Sequence, residues 1–535
     1  MTQAAAARQR RGLGAVVAAA GLALLLVLSL AACGKKDEAP PAVSPPAGKV
    51  FKVLAGSEVR DLEPALKAAA AGVGVDLQLS YTGTLDIVER INAGEAFDAI
   101  LPANGAYPSL ALTTKPLARE KLFYSRVALG VKQAKAQALG WTVQAPSWAE
   151  IAKAAGSGSL RYAMTNPTSS NTGMSALFAV ASAVAGKTED LTVQEVDGAV
   201  LKAFLSGQKL TAGSSGWLAE AFVKDPAALD AMVNYEAVIL RANEKLAAAD
   251  KLTLIYPKDG VISADYPLML LAEARRDDYS RLVGAFKAAA LQRQLSAQEF
   301  VRPTAAEVPL GAGLPATAVV ELSFPNRLEV IDAVLGAYQG VWRRPATSIF
   351  VLDISGSMKG DRLEAMRAAL KILAGADASS ASARYTRFQS RENVVLIAFS
   401  DRVEPAVRVS FEPQSLEAAR KQVLAYADAL QVKGGTGIYA ALLRAQALAA
   451  EEQKRDPERY VSVVLLTDGE NTTGPDLAAF KSQQGSGTPV RVFPILFGEA
   501  SNAEMATLAQ VTGGRVFDGR KAALSLVFKD IRGYQ

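Results

Sequence analysis

Histidine is absent from the whole chain of 535 residues, and cysteine occurs once, at Cys33. Without imidazole there is no Ser-His-Asp triad, no Cys-His dyad, no His-ligated zinc and no His-x-x-Glu-His hydrolase. With one thiol, no disulfide can close within the chain and no cysteine metal cluster or redox pair can form. The Gly-rich phosphate loop ending in Gly-Lys-Ser/Thr is missing, as is Gly-x-Ser-x-Gly. Dense Lys/Arg tracts interleaved with aromatic residues are lacking too, so no nucleic-acid partner is expected. The net charge of +5 is only mildly basic, and Arg8, Arg10 and Arg11 contribute to it from a segment that reads as a removable leader. Any enzyme reading must therefore rest on carboxylates, lysines or a metal, and no arranged catalytic partner is evident.

Half of the residues are apolar, which at this length supports two to four domains with cores of their own. Residues 1–33 have a basic start, an apolar stretch from Leu13 to Leu30, and then Leu30-Ala31-Ala32-Cys33. The apolar run is shorter than the ~20 residues of a comfortable membrane span, and small residues precede the cysteine. The segment resembles a bacterial lipoprotein signal. The resemblance implies that Cys33 is the lipidated first residue of the mature chain, held outside the cytoplasm on the membrane by several acyl chains. The alternative is an uncleaved single-span anchor. Gly34 is not an inner-membrane retention aspartate, so in a two-membrane bacterium the outer membrane, periplasmic side, is favoured. Residues 34–49, with Pro40, Pro41, Pro45 and Pro46 among alanines and charges, read as a flexible tether.

From residue 50 to about 305, strands alternate with helices, which predicts βα units around a largely parallel sheet. Phe51–Ala55 runs into Gly56-Ser57 and a helix near Asp61 to Ala71. Leu77–Ser80 leads into Tyr81-Thr82-Gly83-Thr84 and a second helix, and Phe97–Leu101 is a further strand. Later, Asn166–Gly173 (NPTSSNTG) opens a helix at Met174, and Tyr256–Pro267 reads as a late strand and turn. This order resembles the two-lobed periplasmic solute-binding proteins, especially those that take oxyanions. Helix starts rich in Ser, Thr and Gly present free backbone donors. Ser57, Thr84, Ser170, Asn171 and Thr172 are the candidate ligand-binding residues, for a small anionic solute. The same residue types are also the commonest helix caps whether or not anything binds.

Residues 306–344 read as a linker, with Pro309, Pro315 and Pro325, followed by a packing helix from Asn326 to Trp342. In that helix Leu328, Val330, Ile331, Val334, Leu335 and Tyr338 recur at helical spacing. In residues 345–535, Phe350–Met358 (FVLDISGSM) places one carboxylate and two hydroxyls in a tight turn directly after an apolar strand. Lys433–Gly437 (KGGTG) puts Thr436 in a glycine-rich loop ahead of a helix, and the apolar run Tyr460 to Leu466 delivers Thr467, Asp468 and Gly469. The strand ends of open α/β sheets are where ligand sites form. A lone Asp-x-Ser-x-Ser is often only a capped turn, but here three separated segments agree.

Together they resemble the metal-ion-dependent adhesion site of von Willebrand factor A domains. The resemblance implies a Rossmann-like, doubly wound α/β domain. It also implies a metal set of Asp353, Ser355, Ser357, Thr436 and Asp468, and an acidic side chain of a partner protein as the missing ligand. Hydroxyl and carboxylate oxygens are hard donors, suited to Mg²⁺ first, and to Mn²⁺ or Ca²⁺. The expected protein is therefore a non-enzymatic, lipid-anchored envelope receptor or adaptor that binds an envelope or extracellular protein through a metal. The alternative is the solute receptor of an importer with an accessory A domain, and a metal-dependent hydrolase ranks behind both.

Overall fold

The computed structural model describes residues 49–376, 381–483, 490–498, 500–520 and 524–534. The leader, Cys33 and the tether up to residue 48 lie outside the described residues. Among the described residues no helix is long and apolar enough to cross a membrane.

Three sheets organise the chain. In the first, the βα units of the sequence pair as expected: Lys49–Gly56 lies parallel to both Val75–Thr82 and Ala99–Leu101. The sheet is then completed by Pro267–Leu270, which returns antiparallel from far down the chain and pairs with Ala118–Lys121. The second sheet is centred on Phe123–Lys132, which pairs antiparallel with Ala231–Tyr235 and Leu252–Ile255. Tyr162–Thr165 and Gln208–Ala212 extend it. These are two lobes, joined by a chain that crosses between them more than once.

The lobes touch in this structure. A Cβ placed on Gly83 of the first lobe would lie 2.2 Å from the Ser169 carbonyl oxygen of the second, so only glycine admits this approach. Local signals place the helices. Ser147 and Glu150 form a reciprocal capping box at the start of Trp148–Gly156, and Asp197 caps Gly198–Ser206 through the amides of Ala199 and Val200. In the second lobe Arg302 and Glu236 form a bidentate ion pair at 2.6 and 2.9 Å, with side chains 3% and 0% exposed.

The stretch read as a linker does not hang free. Leu322 and Val261 exchange backbone bonds with their neighbours across the gap, and Phe324 packs edge-on against Phe178 at 5.1 Å. The helix after it spans Leu328–Ala337 and ends in a π-helical turn, Tyr338–Trp342. Val330, Ile331, Val334, Leu335 and Tyr338 are buried as their spacing predicts. Leu328 differs: it sits in the first turn, beyond the edge of the packed face, and is 37% exposed.

The third sheet is doubly wound, in the order Val407–Phe411, Glu392–Phe399, Ala346–Asp353, Tyr460–Thr467, Val492–Leu496, Phe517–Asp518. All neighbours are parallel except the first pair. The period-2 alternation of a strand is visible in where its residues go. Ile349 and Val351 face one core with Ile438 and Leu442 of the helix Ile438–Arg455, while Phe350 and Leu352 face the other. That second core is continuous with the core of the lobes, through Val334, Leu335 and Tyr338 on one side and Phe528 and Ile531 on the other. Residues 46–535 accordingly form one compact unit. Four elements of this region carry weak sequence signals and were not anticipated: Ala381–Thr386, Leu477–Gln483, Asn502–Thr512 and the short strand Phe517–Asp518.

Candidate functional site

The parallel strands Ala346–Asp353 and Tyr460–Thr467 are in register, and their carboxyl ends bring Asp353 and Asp468 to one rim of the sheet. Asp353 is fully buried. Its Oδ1 accepts from the Ser355 amide at 2.8 Å and its Oδ2 from Thr467 Oγ1 at 2.7 Å. The tight turn after the strand carries Ser355 Oγ to 3.0 Å from Ser357 Oγ, and Ser357 Oγ donates to Asp468 Oδ1 at 2.8 Å.

Thr436 reaches the same rim from the glycine-rich loop, which is tied to the first turn. The Gly356 amide donates to the Gly434 carbonyl at 3.1 Å and the Lys433 amide to the Ile354 carbonyl at 2.7 Å. Gly434 is held at φ +65, and a Cβ there would lie 2.2 Å from Asp401 Oδ1, so the loop can take this course only with glycine. A Cβ at Gly469 would sit 3.7 Å from Ser357 Oγ and 3.9 Å from Thr436 Oγ1. The two hydroxyls therefore converge on a space that glycine leaves open.

All five residues expected from the sequence are thus gathered from three separated segments onto one rim. Four are buried or nearly so, and Ser357 faces solvent. The supports around them were not foreseen. Thr467 anchors Asp353. Thr472 Oγ1 accepts from the Thr436 amide at 2.9 Å and Asn471 Oδ1 from the Ile438 amide at 2.8 Å, pinning the third segment. Arg362 donates to Asp468 Oδ2 at 2.5 Å. The run Asn471-Thr472-Thr473, which begins three positions after Asp468, was a readable clue, because Asn and Thr side chains satisfy loop amides.

The electrostatics fit a cation. Burial pushes the Asp353 carboxyl above its ordinary value, and the neighbouring Asp468 carboxylate adds to that shift. Among the described residues no cluster of three or more His, Cys, Asp or Glu side chains is placed to hold a metal. This rim offers two carboxylates and three hydroxyls instead. Such an all-oxygen, weakly charged set suits a hard divalent ion and leaves it net positive charge.

The cleft residues form a second grouping. Ser57, Thr84, Ser170 and Asn171 line one chamber of about 110 Å³ between the lobes. Thr172, 1% exposed, is not among the lining residues. The lining also contains Asp530, from the last helix of the chain, Leu524–Arg532. Nothing in the sequence of that helix signals its place in the cleft.

Comparison with known proteins agrees with this division. Residues 51–295 match the family model of the bacterial extracellular solute-binding proteins, and residues 349–529 match that of the von Willebrand factor type A domain. Inter-alpha-trypsin inhibitor heavy chain H4 of Homo sapiens is 32% identical over 201 residues, covering 36% of this chain and 20% of that protein. Heavy chain H3 of Homo sapiens is 31% identical over 181 residues, covering 32% and 18%. The chain thus spans about a fifth of the length of the curated relatives it matches. Among solved structures, a ferric binding protein from Campylobacter jejuni aligns with 53% of this chain and 96% of its own, at 14% identity and a TM-score of 0.41. A periplasmic thiamin binding protein aligns with 55% and 96%, at 15% identity and a TM-score of 0.44. Domains of the A type commonly bind a divalent metal at their adhesion site. The chain carries a bacterial extracellular solute-binding region and, packed against it, a von Willebrand factor type A domain.

Proposed function

We propose that this protein is a lipid-anchored receptor or adaptor outside the cytoplasm, and that its A domain captures a partner protein through a divalent cation. The observation that carries the reading is the convergence of Ser355, Ser357, Thr436, Asp353 and Asp468 on one open rim. In this reading Ser355, Ser357 and Thr436 hold the ion, Mg²⁺ foremost, while Asp353 and Asp468 orient its waters. An acidic side chain of the partner completes the set. The chain's own residues do the positioning: Thr467 and the Ser355 amide fix the Asp353 carboxylate, and Arg362 holds Asp468. Bound there, a cation would supply an attachment point for a carboxylate. Anchoring through Cys33 is supported by the position of the only cysteine at the end of a leader-like segment.

The test is Mn²⁺ binding by the full chain, followed by electron paramagnetic resonance, together with capture from envelope extract in Mg²⁺ and in chelator. Binding and metal-dependent capture should both be lost in Ser357→Ala, with an unchanged Tm in chelator as the control for folding. Capture that is unchanged by chelator and by this variant would sink the reading. Labelling with a palmitate analogue, lost in Cys33→Ala, checks the anchor. A second reading, a solute receptor, is favoured by the chamber between the lobes and is developed next.

A further inference from the structure

The last helix, Leu524–Arg532, bridges the two lobes at the mouth of their cleft. On the first lobe, Lys529 Nζ pairs with Asp86 Oδ1 at 2.6 Å and Glu89 Oε2 at 2.8 Å. On the second, Asn166 Nδ2 donates to the Arg532 carbonyl at 3.3 Å, and Arg515 stacks over Trp217 while donating to the Tyr534 hydroxyl at 2.7 Å. A Cβ on Gly533 would lie 2.7 Å from Gly213 Cα, so the chain end runs hard against the second lobe. The A domain thus forms a wall of the chamber.

The chamber has two electrical faces. The helices Thr84–Asn92, Asn171–Val184 and Ser215–Lys224 all begin at it, with Gly83, Ser170 and Ser214 as N-caps, and none is capped by its N-cap side chain. Apart from the Gly173 amide, which donates to Thr165 Oγ1 at 2.8 Å, their first-turn amides and dipole ends favour a negative group. Yet Glu58 and Asp530 line the same space. The Asp530 carboxylate has no hydrogen bond or ion pair among the described residues, with Arg515 and Lys529 as its neighbouring cations. Glu58 accepts only from Ser57 Oγ, at 3.3 Å, and from its own amide. Arg60, which also lines the chamber, is turned onto the Tyr81 ring, 5.0 Å from its centroid. Desolvation raises both carboxyls, Asp530 to about 6 with Asp86 adding to the shift, although the Asp530 residue as a whole remains exposed.

A buried polar group points to a ligand independently of these charges. Asn171 is 4% exposed and spends its amide nitrogen on Ser175 Oγ and the Tyr235 hydroxyl, leaving Oδ1 without a partner. A buried acceptor left open in this way is costly unless something donates to it.

We propose that this chamber is a binding site for a small zwitterion of the amino-acid class, completed by Asp530 of the A domain. The carboxylate of the solute meets the three helix starts, and its ammonium group meets Asp530, Glu58 and Asn171 Oδ1. The volume of about 110 Å³ suits glycine or alanine, since a cavity of ~150 Å³ holds benzene. A bare anion would meet two carboxylates, and a bare cation would meet three positive helix ends. Solute exchange requires the last helix to lift from one lobe. The proposal rests on the second reading above, that the cleft holds a solute, and is independent of the metal site.

The experiment is calorimetric titration of the full chain with glycine, L-alanine, methylammonium, acetate and phosphate. Glycine or L-alanine should bind saturably, at least tenfold tighter than the other probes. Asp530→Asn and Glu58→Gln should each weaken that binding at least tenfold, with the divalent-ion response of the A domain intact as the control for folding. Acetate, phosphate or methylammonium binding as tightly as the zwitterions would overturn the proposal while leaving a solute receptor standing. Unchanged affinity in Asp530→Asn would remove the A domain from the site. No saturable binding by any probe would sink both the proposal and the receptor reading.

Discussion

The rim of the A domain and the chamber between the lobes are both lined by hydroxyls and two carboxylates, yet they are built in different ways. The rim is made at the ends of two adjacent parallel strands, whose short following turns fix four of its residues, and the loop that carries Thr436 is tied to the first of those turns by backbone hydrogen bonds. The chamber is made where three bodies meet, and one wall comes from a helix more than 300 residues away from the others. The first arrangement depends on local turns. The second depends on how whole domains dock, and it fails if they separate.

The largest expected effect comes from breaking that docking. Glu392, 2% exposed, accepts from Arg343 and, at 2.6 Å, from Arg532. In Glu392→Ala two buried guanidiniums lose their carboxylate, so stability should fall by about 3–5 kcal/mol. Urea unfolding monitored by Trp fluorescence checks this. A separate early transition would show that the chamber is lost before the rim.

Next in size is the metal itself. At a hundredfold excess over Kd, a divalent ion should stabilise the wild-type protein by about 2.7 kcal/mol, seen as a rise in Tm. Asp353→Asn should abolish the rise and leave glycine titration unchanged. If the same variant weakens glycine binding, the two sites are coupled and the contrast drawn above is wrong.

Lys529→Met removes two partly buried ion pairs between the last helix and the first lobe. A loss of about 1 kcal/mol is expected, together with glycine dissociation at least several-fold faster in stopped flow. An unchanged off-rate would mean that this helix does not gate the cleft.

The smallest effect is one of pH. Around Asp530 the facing charged groups are Asp86 and Glu58 on the first lobe, Lys529 on its own helix and Arg515 on the A domain. Its carboxyl sits at about 6 in the folded protein, above the ordinary value of an unfolded aspartate. The folded state therefore binds this proton more tightly, a stabilisation that is complete below about pH 4 and lost as pH rises through about 6. Asp530 is exposed, so solvent screens much of this effect, and Asp530→Asn should match the wild type in Tm at pH 3.5 and exceed it by about a degree at pH 8. Equal Tm at both pH values would show that Asp530 is well solvated.

Much of this molecule was legible in the chain. Strand periodicity placed Tyr460–Thr467 to within a residue and an apolar strand directly before the Asp353 turn, because a buried parallel strand requires an apolar run of that length. Asp353, Ser355, Ser357 and Asp468 followed, since a side chain at or just beyond the end of a strand has little freedom to go elsewhere, while Thr436 was legible from its glycine-rich loop directly ahead of a helix. Short, weakly periodic elements such as Ala381–Thr386 and Phe517–Asp518 were not legible, because packing and not propensity holds them in place. Thr172 shows the limit within a motif: it shares a helix start with Asn171, yet only Asn171 reaches the chamber.

What the sequence by itself determined is the chemistry available. It has no imidazole and no thiol pair, it has a hydroxyl-rich oxygen set at the strand ends of the A domain, and it has helix starts without charged caps. Only the tertiary structure decided that Leu524–Arg532 closes the cleft, that Glu58 and Asp530 face the same helix starts, and that the presumed linker packs along the second lobe. The reason is physical. Local segments encode their own turns and faces, while the meeting of distant surfaces is set by the summed burial of many side chains, such as Phe528, Ile531 and Tyr534, none of which signals its partner in sequence.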